Sequence, residues 1–136
     1  MGKNTLRTFY VILTNVSKQT QAVFEPFHSW GYYAISFVVR TGDGRIVAIR
    51  KKQTGFTRNV PSTFLIPPGD EMVYPIKLDD EWVADSGLPI AAKEPIDVRV
   101  EAIYEIEPTP ESTRQSVWTG RAESPRYRYE FWHSGN

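Results

Sequence analysis

The chain has 136 residues, no cysteine, and 16 basic against 16 acidic side chains, so its formal net charge is zero. Without cysteine, disulfides, Cys-ligated zinc, iron–sulfur clusters and a thiol nucleophile are excluded. The length predicts a single domain over residues 1–136, with loose termini at residues 1–6 and 133–136, and zero net charge argues against a nucleic-acid partner.

Strand patterns follow one another along the whole chain, while prolines, glycines and β-branched residues interrupt every helical window. The predicted strands are residues 8–14, 21–25, 33–40, 45–52, 63–66, 72–78, 96–107, 115–122 and 127–132. Residues 79–95 carry no clear strand pattern. They predict a loop that crosses between the sheets, with a helical turn at residues 80–84.

Two of these strands alternate as a sheet with one buried face requires. The predicted inward rows are Tyr33, Ile35, Phe37 and Val39 in one strand, and Ile96, Val98, Val100, Ala102, Tyr104 and Ile106 in the other, where only Ile103 breaks the pattern. The dipeptide Asp43-Gly44 after the first strand predicts a hairpin with a type I′ turn. Later, Pro67-Pro68-Gly69-Asp70 predicts a tight reversal between two more strands.

Regularly spaced strands joined by polar turns predict an all-β fold, a two-sheet antiparallel sandwich of about 7–9 strands. A small β-barrel is the alternative, because periodicity alone does not separate the two architectures. No segment is long and apolar enough for a membrane span, which needs about 18 apolar residues. No cofactor is predicted.

Three segments resemble parts of bacterial immunoglobulin-like β-sandwich domains of an uncharacterised, secreted or envelope type. They are Leu13-Thr14-Asn15-Val16-Ser17, the aromatic strand with its Asp43-Gly44 hairpin, and Leu65-Ile66-Pro67-Pro68-Gly69-Asp70-Glu71. Ser29-Trp30-Gly31-Tyr32 and Val117-Trp118-Thr119-Gly120 are similar to segments of the same kind of protein. The resemblance implies an immunoglobulin-like sandwich and an extracytoplasmic location, and it brings no catalytic residue. The Cys–Trp–Cys core of antibody-type domains is absent.

Aromatic residues provide the main candidates for ligand binding. Phe27, Trp30, Tyr32 and Tyr33 form the densest group, and Trp82 lies in the longest predicted loop. Rings that do not enter the core can stack on a sugar or anchor a protein partner. The competing interpretation is that Trp30 and Tyr33 plug the end of the sandwich and that Trp82 anchors its loop.

His28 is the candidate for acid–base chemistry, because the adjacent Ser29 suggests a nucleophile with its base. Neighbouring strand residues point to opposite faces, so the pair would require a special turn, and a Gly-x-Ser-x-Gly elbow is absent. Asp79, Asp80 and Glu81 are weak candidates for a calcium site, since their spacing is not that of an EF-hand. Exposed acidic residues at the end of a strand are the simpler explanation.

Charge is distributed unevenly along the chain. Residues 40–58 contain six basic residues and one acidic one, whereas residues 70–85 and residues 94–111 each contain six acidic residues and one basic one. This pattern predicts cross-strand ion pairs on solvent faces. The alternative is a basic face that meets an acidic partner or a second copy of the chain. Residues 127–132 also form a candidate edge strand, which can accept a partner strand and produce a homodimer.

The sequence therefore favours a non-catalytic binding or structural module that recognises a protein or carbohydrate partner through sheet-end loops or an edge strand. The expected ligand-binding residues are His28, Trp30, Tyr32 and Trp82. A small hydrolase with a carboxylate and His28 site, and a loop-based peptidase inhibitor, are the alternatives.

Overall fold

A computed structural model of the chain describes residues 8–42, 44–57, 59–78, 80–84 and 96–131. The predicted termini, Asp43, Asp79 and most of the predicted crossing loop lie outside these residues. The described strands are β1 (Phe9–Thr14), β2 (Gln21–Phe24), β3 (Ile35–Thr41), β4 (Ile46–Lys51), β5 (Thr63–Ile66), β6 (Glu71–Ile76), β7 (Trp82–Ala84), β8 (Ile96–Ile106), β9 (Gly120–Glu123) and β10 (Tyr127–Phe131). Two short helices, α1 (Ser29–Tyr32) and α2 (Pro110–Arg114), accompany them.

One layer is a two-stranded antiparallel ribbon that is interrupted in the middle. β1 pairs with β6, and β2, which follows β1, pairs with β5, which precedes β6. The buried Asn15 joins the two halves of the ribbon. Its Nδ2 donates to the carbonyls of Gln19 (2.7 Å) and Ile66 (2.8 Å), and its Oδ1 accepts from the backbone N–H of Ser17 (2.9 Å). The Asn-containing turn therefore fixes the bend between the two ladders.

The other layer is a six-stranded antiparallel sheet with the order β10–β8–β3–β4–β7, in which β9 also pairs with β8. β9 and β10 lie along the same edge of β8, where residues 124–126 oppose residues 101–102. This extra residue is a β-bulge. At the bulge the backbone N–H of Ala102 donates to the Ser124 hydroxyl at 2.8 Å, so a side chain replaces a backbone acceptor of the ladder.

The two layers pack face to face around one core. The alternation predicted for β3 and β8 is confirmed for the described side chains of these strands, whereas Tyr33, which was predicted in the inward row, precedes β3 and is partly exposed. Ile35, Phe37 and Val39 are buried, as are Val98, Val100, Tyr104 and Ile106, and they pack with Phe24, Ala34, Val47, Ile49, Tyr74, Ile76 and Val117. At one side of the ribbon, Val117 forms a parallel bridge with Ala22, and the Trp118 N–H donates to the Ala22 carbonyl at 2.8 Å. The chain is therefore an all-β protein whose sheets form a sandwich.

The barrel alternative is wrong for the described part of the chain, because none of its sheets closes on itself. β7 at one edge of the large sheet and β9 and β10 at the other each pair with a single neighbour. Within the described ranges the helices are the short α1 and α2, and neither is long and apolar enough to cross a membrane.

Several local predictions need correction. The helical turn predicted at residues 80–84 is instead a turn followed by β7, because this segment pairs with β4. The strand predicted at residues 115–122 begins only at Gly120, since α2 ends in a turn over residues 115–116. β3 and β4 form the predicted hairpin, but the Thr41 N–H donates to the Arg45 carbonyl, so the connection is one residue longer than a two-residue type I′ loop.

Candidate functional site

The single turn α1 places an aromatic cluster at one end of the sandwich. It follows β2 closely, and a Cβ added to its Gly31 would overlap the backbone carbonyl of Glu25. Only glycine therefore allows α1 to press against the chain that leaves β2. The close approach directs the neighbouring side chains of Trp30, Tyr32 and Tyr33 away from this backbone contact, and all three are partly exposed.

His28 lies just before α1 and is 1% exposed. Its ring packs edge-on against Phe24 at 5.4 Å and Trp30 at 5.5 Å between centroids. Nε2 is 2.9 Å from the carbonyl oxygen of Ser62, which can only accept, so Nε2 carries the proton. The imidazole thus fastens α1 to the chain entering β5.

Ser29 is held by a different partner from His28. Its backbone N–H donates to Asn59 Oδ1 at 2.8 Å, and its hydroxyl accepts from Asn59 Nδ2 at 2.7 Å. The side chains of His28 and Ser29 are therefore each engaged with the segment that leads into β5, and both help to position α1.

An open cleft of about 360 Å³ lies beside α1, within the range of about 300–1,000 Å³ that is typical of ligand sites. The rings of Trp30 and Tyr33 line it, and Phe24, Ala34 and Ile106 supply apolar surface. Its polar lining consists of Ser29, Ser36, Glu105, Glu107 and Thr109. The cleft therefore offers rings for stacking beside hydroxyls and carboxylates for hydrogen bonding.

The carboxylates and the threonine of the polar lining come from the end of β8 and the start of α2, whereas Ser29 belongs to α1 and Ser36 to β3. Thr109 is the N-cap of α2: its hydroxyl accepts from the Ser112 N–H at 3.0 Å. Glu105 is 3.3 Å from the Arg121 guanidinium, whereas Glu107 makes no ion pair with any described residue. Its exposed carboxylate is thus available to a ligand.

Tyr32 and Trp82, two predicted ligand-binding residues, do not line this cleft but meet around Lys51. The Lys51 ammonium lies 4.5 Å from the Tyr32 ring centroid and 4.8 Å from that of Trp82. It also lies 3.0 Å from a Glu81 carboxylate oxygen, to which the Tyr32 hydroxyl donates at 3.1 Å. We call Tyr32, Lys51, Glu81 and Trp82 the lysine cage.

The rings of Tyr32, Tyr33 and Phe56 pack together between the cleft, which Tyr33 lines, and the lysine cage, to which Tyr32 belongs. Tyr32 packs edge-on against Tyr33 at 5.0 Å, and Phe56 contacts both, at 5.4 and 6.4 Å between centroids. The Tyr33 hydroxyl holds the backbone of Thr54 through its N–H and carbonyl, at 3.1 and 3.3 Å. The aromatic group that the sequence indicated is therefore divided: Trp30 packs against His28, Tyr32 and Tyr33 pack with Phe56, and Phe27 is 72% exposed.

Sequence reasoning missed the carboxylates of the cleft and the cation of the cage. The sequence marked these residues, Glu105, Glu107 and Lys51, only as members of the charged segments at residues 94–111 and 40–58. No local signal marks them, because their partners lie on other strands. Glu107 is the last residue of the predicted strand at residues 96–107, and that was the one available indication that it lies near the end of the sheet.

The predicted calcium ligands are not assembled within the described residues. Asp79 lies outside them, Asp80 is exposed, and Glu81 is engaged in the lysine cage. No group of three or more metal-ligating His, Asp or Glu side chains occurs in that part of the chain.

The uneven charge is partly explained by cross-strand pairing, as predicted. Glu101 lies 3.2 Å from Arg40 of the neighbouring strand β3 and 3.3 Å from Arg126 of the bulge before β10, and Lys51 of the basic segment meets Glu81 of an acidic one. Comparison with protein-family models, curated proteins and solved structures gives no match to this chain. The site must therefore be interpreted from its own geometry.

Proposed function

We propose that the protein is a non-catalytic binding module that recognises a carbohydrate through the cleft at the end of its sandwich. The observation that carries this proposal is the lining of the cleft: Trp30 and Tyr33 lie beside Glu105, Glu107 and Thr109. A sugar ring presents an apolar face of C–H groups and a rim of hydroxyls. The rings can stack on the face, and the carboxylates can accept from the hydroxyls.

Carboxylates strengthen such a site because hydrogen bonds to charged groups contribute about 1.5–3 kcal/mol each. Aromatic rings give a large contact area that is already held in place. Here Tyr33 is fixed by Thr54 and Trp30 by His28, so little freedom is lost when a ligand binds. His28 therefore has a supporting role in this proposal and is not a ligand contact.

The edge strands are less suitable for a partner than the cleft. The β9–β10 edge is broken by the bulge at residues 124–126, which includes Pro125, β7 has three described residues, and β6 contains Pro75. Bulges, prolines and short strands are features that prevent edge-to-edge pairing. This favours the sheet-end site over strand addition or an edge-strand homodimer.

The immunoglobulin-like classification, a bacterial source and an extracytoplasmic location belong to the same proposal. They are supported by the resemblance of the Asn15 turn, the aromatic hairpin and the Pro-Pro-Gly turn to such domains. The two-layer arrangement of antiparallel strands is compatible with that classification.

Binding of neutral oligosaccharides tests the proposal. Hexamers of glucose, xylose and N-acetylglucosamine are titrated by calorimetry, with tryptophan fluorescence as a second signal. We expect one of them to bind, and Glu107→Gln to weaken that binding about tenfold, since a hydrogen bond to a charged group contributes about 1.5–3 kcal/mol and 1.4 kcal/mol is tenfold.

Glu71→Gln is the matched control, because Glu71 is exposed on β6 in the other layer. Trp30→Phe, which keeps an aromatic ring against His28 but reduces the stacking area, should also weaken binding. If none of the three sugars binds, or if Glu107→Gln and Glu71→Gln behave alike, the cleft is not a carbohydrate site.

A further inference from the structure

The lysine cage has the construction of a receptor for an ammonium group. An ammonium within about 6 Å of an aromatic centroid is attracted by the electron-rich face of the ring, and Lys51 satisfies this condition toward Tyr32 and Trp82 at once. The carboxylate of Glu81 supplies the opposite charge at 3.0 Å. Two rings and a carboxylate thus converge on one cation.

The walls of the cage are held by contacts that do not involve the Lys51 side chain. Trp82 packs against Phe37 at 5.4 Å between centroids. Tyr32 is fixed by the rings of Tyr33 and Phe56. The backbone carbonyl of Glu81 accepts from the Lys52 N–H at 2.8 Å, which extends the ladder between β4 and β7. Shortening Lys51 should therefore leave the walls in place.

The cage is open to solvent on the carboxylate side. The side chain of Glu81 is 53% exposed, whereas that of Lys51 is 19% exposed. Lys51 is thus enclosed by the two rings, while the carboxylate remains accessible to a cation that approaches from outside. A flexible lysine stem can move out of such a site without disturbing the strand to which it belongs.

We infer that Tyr32, Trp82 and Glu81 form a binding site for an ammonium group, which Lys51 occupies in cis and which a methylated amine from outside can take in its place. A methylated ammonium suits the site better than a primary one, because it sheds its water more easily and fits the aromatic faces. Lys51 is then a built-in competitor. The apparent affinity for an amine from outside is the intrinsic affinity multiplied by the fraction of molecules in which Lys51 has left the cage.

The test is titration of the full chain with tetramethylammonium chloride and with choline chloride against sodium chloride at equal ionic strength. Chemical shifts of the Trp82 indole report binding. We expect Lys51→Ala to bind both cations about tenfold more tightly than the wild type. Adding Glu81→Gln to Lys51→Ala should reverse most of this gain.

Lys52→Ala is the matched control, because Lys52 is the adjacent exposed lysine and lies outside the cage. It should bind the two cations as the wild type does. Lys51→Gln keeps the stem but removes the charge, so it should show an intermediate gain. Glu107→Gln, which tests the carbohydrate cleft, should leave cation binding unchanged, and the two proposals can therefore fail separately.

Three results would overturn the inference. The first is a folded Lys51→Ala protein with wild-type affinity for both cations. The second is an equal gain in Lys52→Ala, which would indicate a general charge effect. The third is loss of the folded state in both Lys51→Ala and Lys51→Gln, because Lys51 would then be a structural part of the cluster.

Discussion

At the scale of single residues, the two buried tyrosines of the core show how burial changes side-chain chemistry. Tyr74 and Tyr104 are 6% and 4% exposed, and their rings lie 6.1 Å apart between centroids. Among the described residues, neither hydroxyl has a hydrogen-bond partner of normal geometry, although the two phenols lie close enough for each to influence the pKa of the other. Burial raises the pKa of both phenols above the ordinary value.

These raised pKa values predict a loss of stability at alkaline pH. Below about pH 10 both the folded and the unfolded chain keep the phenolic protons. Above it the unfolded chain releases them and the folded chain retains them, so unfolding becomes more favourable as the pH rises. Urea unfolding at pH 7 and pH 10.5 should show that Tyr104→Phe loses less free energy of unfolding than the wild type.

At pH 7 the same variant should be as stable as the wild type or up to about 1 kcal/mol more stable, since the buried hydroxyl it removes has no hydrogen-bond partner of normal geometry in the described part of the chain. Tyr10→Phe is the control, because Tyr10 is 62% exposed. The prediction is contradicted if the free energy of unfolding of Tyr104→Phe falls between pH 7 and pH 10.5 by as much as that of the wild type.

At the scale of elements, α1 decides where the cleft and the lysine cage lie. It turns the chain between β2 in one layer and β3 in the other, and it carries Trp30 to the cleft and Tyr32 to the lysine cage. One turn of helix is not stable in isolation. α1 exists because His28, Asn59 and the contact at Gly31 hold it against the end of the ribbon.

Gly31→Ala should therefore destabilise the fold by about 1–3 kcal/mol, because the added methyl group overlaps the Glu25 carbonyl and the backbone must shift. Gly55→Ala is the matched control, since a Cβ at Gly55 meets no atom within 4 Å. Thermal unfolding followed by circular dichroism measures both. The interpretation fails if the two variants unfold at the same temperature.

At the scale of the whole molecule, the two layers share one core, and we expect them to unfold together. Ile76 on the ribbon and Ile49 on the large sheet are 5% and 2% exposed and belong to the same cluster. Neither layer buries its apolar face without the other. Small domains of this kind usually unfold in a single cooperative transition.

Ile76→Val and Ile49→Val should each reduce the free energy of unfolding by about 0.5–1.5 kcal/mol. Each variant should therefore shift the midpoint of the same single transition. Tryptophan fluorescence and far-ultraviolet circular dichroism should give coincident curves. Ile12→Val is the control, because Ile12 is 56% exposed and little area is lost from the core. Separate transitions for the two layers would show that the sandwich is not one cooperative unit.

Part of the candidate site was predictable and part was not. The cluster of Trp30, Tyr32 and Tyr33 stands out in the sequence because its residues are adjacent. The cleft and the lysine cage depend on Glu107, which directly follows β8, and on Lys51 of β4. Which ring faces which charged group is set by the pairing of β4 with β7 and of β8 with β3. The sequence near α1 does not indicate that pairing.

The sequence by itself determined the all-β class and the inward faces of β3 and β8, because side chains alternate with a period of two and the apolar set must be buried. It also located most of the turns through proline, glycine and asparagine. Only the tertiary structure decided that the segment at residues 82–84 is a strand, that α1 and α2 form, and that Tyr32 and Trp82 enclose Lys51. These features arise from contacts between residues far apart in the chain, and local patterns do not encode such contacts.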